Sequence, residues 1–170
     1  TDGERLYVSF GSFGIFCLDL KGQLLWERQL GKLTTRRGYG EAVSPALHQG
    51  RLLVNWDQEV ASALYCLDAK TGETKWKADR DEITTWTTPL VTEFGGKTQV
   101  ILNGTRQVRS HDLETGRVLW SCGGMTENAI PSALRYRDAA IIVSGYQGNS
   151  GVSVPLSSQG DLGLDGPVNW

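Results

Sequence analysis

Leu67-Asp68-Ala69-Lys70-Thr71-Gly72-Glu73-Thr74-Lys75-Trp76 is the stretch whose reading decides the fold. It returns as His111-Asp112-Leu113-Glu114-Thr115-Gly116-Arg117-Val118-Leu119-Trp120. It also returns, one residue shorter in its turn, as Leu18-Asp19-Leu20-Lys21-Gly22-Gln23-Leu24-Leu25-Trp26. Each part has a physical job. Asp19, Asp68 and Asp112 can accept hydrogen bonds from backbone N–H groups within a hairpin turn, and Gly22, Gly72 and Gly116 supply the positive φ that such a turn needs. A tryptophan ending the following strand is a large flat plug, suited to filling the space where one sheet packs on the next. Trp26, Trp76, Trp120 and Trp170 stand 50, 44 and 50 residues apart, so all four are expected in this docking position.

Downstream of each tryptophan comes a proline landmark: Ser44-Pro45-Ala46-Leu47, Thr88-Pro89-Leu90-Val91 and Ile130-Pro131-Ser132-Ala133-Leu134. Proline is tolerated at the first residue of a strand, which need not donate to the ladder. A second strand follows each time, around Leu52-Leu53-Val54, Val100-Ile101-Leu102 and Ile141-Ile142-Val143. The unit reads as four antiparallel strands in about 40–50 residues, the period of a β-propeller blade. The expected fold is therefore all-β: a β-propeller of four-stranded antiparallel blades, about four of them, near residues 1–31, 41–82, 86–124 and 128–170. The first unit begins at its second strand, where the alternation of Leu6, Val8 and Phe10 marks a strand packed on one face. The last unit departs most, with Ser158-Gln159-Gly160-Asp161-Leu162-Gly163 in its turn region. Four blades leave the ring incomplete. The sequence reads as a segment of a longer chain, two copies pairing into one ring being the other arrangement.

The pattern Leu-Asp-x-x-Thr-Gly-x-x-x-Trp resembles the tryptophan-docking repeat of quinoprotein-type β-propellers, the PQQ-like repeat proteins, and Ser144-Gly145-Tyr146-Gln147-Gly148 resembles the bacterial members. The resemblance implies a ring of seven or eight blades. It also implies work outside the cytoplasm of a bacterium, in the periplasm, as for the propeller that helps assemble outer-membrane proteins. The expected function is a non-catalytic binding or scaffold module recruiting a protein, a peptide or a small ligand. The alternative is a segment of a PQQ-dependent alcohol or sugar dehydrogenase. Such enzymes hold the quinone over a tryptophan floor with calcium beside it, an aspartate base and usually two adjacent cysteines. This chain has no adjacent cysteine pair, and Asp19, Asp68 and Asp112 are repeated turn residues where a base would be unique. No catalytic residue, metal ligand or cofactor is therefore expected, and PQQ and calcium enter only under the alternative.

Composition agrees with that class. Among 170 residues, 17 basic side chains face 19 acidic ones, a net charge of −2 that gives no field for nucleic acid or anionic membranes. Apolar residues make up 39%, enough for a core, yet no run approaches the roughly 18 of a membrane span. The 21 glycines favour turns over long helices. Three cysteines cannot close a disulfide framework, and Cys17 and Cys66 read as small buried strand residues. Asp161 and Asp165 lack the spacing and bidentate glutamate of a calcium loop and read as turn residues. His111 stands where the other copies carry leucine, as a strand residue rather than a base. Asn103-Gly104-Thr105 matches a glycosylation acceptor, a short motif common by chance.

In a propeller the strands build the scaffold and the loops carry function, so non-repeated polar and aromatic loop residues are the binding candidates. These are Arg37 in Arg36-Arg37-Gly38-Tyr39-Gly40-Glu41, Trp56 and Asp57, Trp86 in Thr84-Thr85-Trp86-Thr87, Arg106, and Tyr146. Together they predict a funnel lined by aromatic rings and arginine, with ordinary loop packing as the other reading of the same residues.

Overall fold

Hydrogen-bonded ladders join the strands in the order in which the chain delivers them. The computed structural model describes residues 1–123 and 125–164. The first sheet holds β1 (Arg5–Ser9), β2 (Ile15–Asp19) and β3 (Leu24–Arg28). The second holds β4 (Ala46–His48), β5 (Arg51–Trp56), β6 (Ser62–Asp68) and β7 (Thr74–Arg80). The third is built on β8 (Leu90–Phe94), β9 (Lys97–Leu102), β10 (Val108–Asp112) and β11 (Val118–Cys122), and the fourth on β12 (Leu134–Tyr136), β13 (Ala139–Ser144) and β14 (Ser150–Pro155). Within each sheet these neighbours pair antiparallel. The chain is an incomplete β-propeller.

The core lies between sheets, in three apolar layers. Ile15 of the first sheet meets Leu52, Val54, Trp56 and Leu67 of the second. Leu53, Leu64 and Cys66 meet Val100, Leu102 and Leu113. Ile101, Val108 and Trp120 meet Ala140, Ile142, Val152 and Val154. Leu52 and Leu53 therefore serve opposite neighbours, as do Val100 and Ile101. This is why β5 and β9 read as continuous apolar runs, whereas a strand with one wet face alternates. In β1 the expected packing of Leu6, Val8 and Phe10 is reversed: Tyr7 packs into the first layer, while Leu6 and Phe10 are exposed.

The tryptophans dock across these layers. Trp26 Nε1 donates to the Ala69 carbonyl (3.1 Å), and a Cβ on Gly72 would lie 2.7 Å from its ring. Trp76 Nε1 donates to the Leu113 carbonyl (2.9 Å), and a Cβ on Gly116 would lie 2.6 Å from its ring. Each Trp of one blade thus closes on the Asp-x-x-Thr-Gly turn of the next. The glycine is required twice over, by its positive φ and by the indole lying on it. Asp68 Oδ1 accepts from the Lys70 and Thr71 amides and Asp112 Oδ1 from those of Glu114 and Thr115, so these aspartates are turn residues. Asp19 does the same in its shorter turn.

The third junction differs. Leu156 N donates to Asp138 O just as Ala69 N and Leu113 N donate to Gly50 O and Thr98 O, which places the fourth turn at Pro155–Ser158, ahead of the stretch expected from the sequence. Trp120 is fully buried, but its Nε1 donates to Gln99 Oε1 (3.2 Å), and Gln99 Nε2 donates to the Leu156 carbonyl (2.6 Å). A glutamine relay replaces direct docking. The chain then turns back: β15 (Gly160–Asp161) pairs parallel to β11 as a fifth strand of the third sheet. Among the described residues the fourth sheet has three strands, and Asp165, Gly166 and Trp170 lie outside them. Pro45 and Pro89 precede Ala46 and Leu90, which face Leu53 and Ile101. Pro131 sits two positions earlier relative to Leu134, which faces Ile141.

Candidate functional site

The loops before β4, β8 and β12 and the β5–β6, β9–β10 and β13–β14 connections gather at one end of the blades. They are tied down by side chains that recur. Asn55 Nδ2 reaches Thr85 Oγ1 (3.0 Å) and the Thr87 carbonyl (3.1 Å) of the next blade. Asn103 Nδ2 reaches the carbonyls of Pro131 (3.1 Å) and Val143 (3.2 Å) in the one after. Leu53-Val54-Asn55 and Ile101-Leu102-Asn103 carried this signal in the sequence, as a second repeat beside the tryptophans. Asn103 is fully buried, which removes it as a glycosylation acceptor.

Two of the expected binding residues are consumed by this scaffold. Trp56 is buried, edge-to-face with Tyr65 at 6.4 Å. Asp57 accepts from Arg80 Nε (2.8 Å), Arg80 Nη2 (3.2 Å) and Thr85 Oγ1 (2.7 Å), with both ion-pair side chains shielded from solvent. A buried carboxylate needs such partners because desolvation penalises the lone charge. Glu82 is the matching case in the next loop. It accepts from the Arg106 and Gln107 amides and from Arg109 Nη1 (each 2.9 Å), while burial pushes its carboxyl above the ordinary value. Arg106 pairs through its own side chain with Asp81, stands half-exposed and does not line the aromatic cleft.

Trp86 and Tyr146 do come together. With Tyr39, Ala42, Asn128 and Ile130 they line an open cleft of about 520 Å³. Trp86 is fixed by its amide on the Ala129 carbonyl (2.9 Å) and by Nε1 on the Gly40 carbonyl (3.1 Å). Tyr39 leans on it with ring centroids 6.4 Å apart. Tyr39, Ile130 and Tyr146 are 61%, 59% and 42% exposed, so apolar surface is left in water here. Arg36 Nη2 holds Glu127 (2.7 Å) and anchors one wall. Arg37, in the left-handed conformation at φ 51°, sits beside this pair with Tyr39 and Tyr146 as neighbours, and its pKa is pushed up by Tyr39 first. Its side chain is held by Tyr39, and Glu127 acts on it at longer range. Asn128, also left-handed at φ 56°, keeps a buried Oδ1 without a hydrogen-bond donor among the described residues. Tyr39, Asn128 and Ile130 belong to no repeat landmark, so nothing in their local sequence set them apart from ordinary loop residues.

The family described as outer membrane protein assembly factor BamB matches residues 1–162, and the chain belongs to it. These are PQQ-like repeat proteins, as the docking motif implied. BamB from Moraxella catarrhalis is similar in structure, with a TM-score of 0.62 and 20% identity over 94% of this chain and 48% of that one. A quinohemoprotein alcohol dehydrogenase from Comamonas testosteroni gives 0.65 and 17% over 92% of this chain and 32% of that one. A europium-containing methanol dehydrogenase gives 0.54 and 20% over 72% and 23%. The chain thus spans about half the length of the BamB structure and a third or less of the dehydrogenases. No protein of curated function matches it in sequence.

Among the described residues no three His, Cys, Asp or Glu side chains cluster as metal ligands. Asp57 and Glu127 are held in ion pairs. Cys17, Cys66 and Cys122 are free, buried and separated in three sheets, and burial pushes the Cys66 and Cys122 thiols up to about 11. These donors do not fit a quinone–metal site, and no reaction step is derived through one. No described helix is long and apolar enough to cross a membrane.

Proposed function

We propose that the chain forms part of a non-catalytic scaffold working outside the cytoplasm of a bacterium, in which the loop end of the blades recruits another polypeptide during outer-membrane protein assembly. The observation that carries this reading is the exposed Tyr39–Trp86–Ile130–Tyr146 cleft. Three of its four side chains stand more than two-fifths in water on a rigid base, the arrangement found in the centre of protein interfaces. Membership of the BamB family supports the extracytoplasmic assignment and the choice of a protein partner. No cofactor is needed for this role.

Photo-cross-linking tests it. Benzoyl-phenylalanine placed at Tyr146 in the full-length protein, expressed in its native bacterium, is expected to give a discrete protein adduct that the same group at Val60, on a loop outside the cleft, does not. Absence of an adduct at Tyr146 would refute recruitment at this end. Stabilisation by PQQ with calcium, seen as a raised melting temperature, would favour the dehydrogenase reading instead.

A further inference from the structure

Residues 34–43 are tied to loops of all four sheets, and we infer that they form a strap over the buried Trp56–Asp57 floor. The strap opens and closes as one unit and carries one wall of the aromatic cleft with it. Its tethers come from each sheet in turn. At its root Leu33 N donates to Ser12 Oγ in the β1–β2 connection (2.8 Å). Thr34 N donates to Gln58 Oε1 (3.0 Å) and Thr34 O accepts from Glu59 N (2.9 Å), both in the β5–β6 connection. Arg36 N donates to Thr84 Oγ1 ahead of β8 (2.9 Å), and Arg36 Nη2 to Glu127 ahead of β12 (2.7 Å). The strap then returns, with Gly40 O accepting from Trp86 Nε1 (3.1 Å) and Glu41 from Ser12 Oγ (2.6 Å).

Three observations make this segment a moving part. None of residues 34–43 is buried, whereas Asn55, Trp56, Asp57, Thr84 and Thr85 of the floor are. A narrow cavity of about 20 Å³ lies between the two, lined by Thr35 and Val43 of the strap and by Trp56, Asp57 and Thr85 of the floor. Polar tethers rather than core packing therefore hold the strap, and segments held in this way open at low free energy. Its middle is bound to itself: Gly38 N donates to Thr35 O and Tyr39 N to Arg36 O (each 3.1 Å), and Gly40 N to Thr35 Oγ1 (3.3 Å). Such a piece moves as a body. The floor, finally, keeps its own bonds when the strap lifts, because Asn55 is held on Thr85 and Asp57 on Arg80. Opening withdraws Tyr39 and Ala42 from the cleft and frees the Trp86 indole from Gly40, so the cleft exists only while the strap is closed.

Hydrogen exchange of the full-length protein, followed by NMR at single protons, tests the strap without any partner. It is therefore independent of recruitment, on which the cross-link at Tyr146 reports. The Thr34 and Arg36 amides and the Trp86 indole proton are expected to share one opening equilibrium, with faster exchange than the ladder amides of β5 and β6. The docked indoles of Trp26 and Trp76 are the controls that stay slow. Glu127→Gln, at one end of the strap, should speed exchange about fivefold at all three protons, the effect of losing one partly exposed ion pair. Ser12→Ala, at the other end, should likewise speed all three together. Added salt should speed exchange in the unaltered protein and much less in Glu127→Gln. A rise confined to the Arg36 amide in Glu127→Gln, no rise in either variant, or exchange of all three protons only at the rate of the core ladders would each overturn the inference.

Discussion

At the scale of single residues, the turn glycines show what the repeat encodes. Gly72 and Gly116 carry an indole, while Gly22, at φ 84°, has nothing within 4 Å of a built Cβ. Gly72→Ala should therefore lose about 2–5 kcal/mol, from backbone strain plus overpacking against Trp26, whereas Gly22→Ala should lose about 1–2 kcal/mol from strain alone. Urea unfolding of the two variants makes the comparison. Asp57→Ala leaves Arg80 charged and buried without its partner, for an expected loss of about 3–5 kcal/mol, and the double change Asp57→Leu with Arg80→Met should recover most of it. His111 lies on the Gly116 carbonyl through Nδ1 (2.9 Å) with Nε2 unpartnered, and burial, with Arg80 second, pushes its imidazole down to about 4. The unfolded chain then binds a proton that the folded one refuses. Stability should fall as pH drops from about 6.5 to about 4, by about 3 kcal/mol at most, and level off below that. His111→Leu, matching Leu18 and Leu67, should flatten this limb of the thermal-stability profile against pH.

At the scale of elements, the blades repeat their irregularities as well as their strands. Ladder shifts fall between Cys17 and Leu18, Cys66 and Leu67, and Ser110 and His111, each just ahead of the Asp turn. The first two docking turns were legible because every part of them is local: an Asp, a Gly and a Trp at fixed spacing. The third junction was not, because Gln99 acts from a strand 21 residues before Trp120 and on a carbonyl 57 residues after itself. Gln99→Leu should strip the relay, leave Trp120 Nε1 and the Leu156 carbonyl buried and unpaired, and lower stability by about 2–4 kcal/mol in denaturant titration. The return of β15 onto β11 was equally hidden. Leu162 N donates to Ser121 O and Gly123 N to Gly163 O, both 2.8 Å, so ending the chain after Ser158 should expose the Gly123 amide to rapid hydrogen exchange.

At the scale of the whole molecule, the first and fourth sheets carry exposed apolar side chains among the described residues. Leu6, Phe10, Leu24 and Leu25 are exposed on the first sheet, and Leu134, Tyr136 and Val143 on the fourth. Large apolar side chains exposed together on one sheet favour association. The 170-residue chain alone, 18.6 kDa, should show a larger mass by light scattering after size exclusion, and aspartate at Leu25 and Val143 should return it towards the monomer.

The sequence by itself determined the blade. Its hairpins, its turn aspartates and glycines, its tryptophan plugs and its inert thiols follow from steric and hydrogen-bonding rules acting within about a dozen residues. It also flagged Arg37, Trp86 and Tyr146, as aromatic and cationic residues that no repeat explains. What only the tertiary structure decided was how each was used. Trp56 and Asp57 look as available in the sequence as Trp86, yet the first sheet covers Trp56 and Arg80 with Thr85 encloses Asp57, while the meeting of three separate loops leaves Trp86 beside Tyr39, Ile130 and Tyr146. Burial of a polar or aromatic group depends on what the next blade sets against it, and that contact is made between residues tens of positions apart.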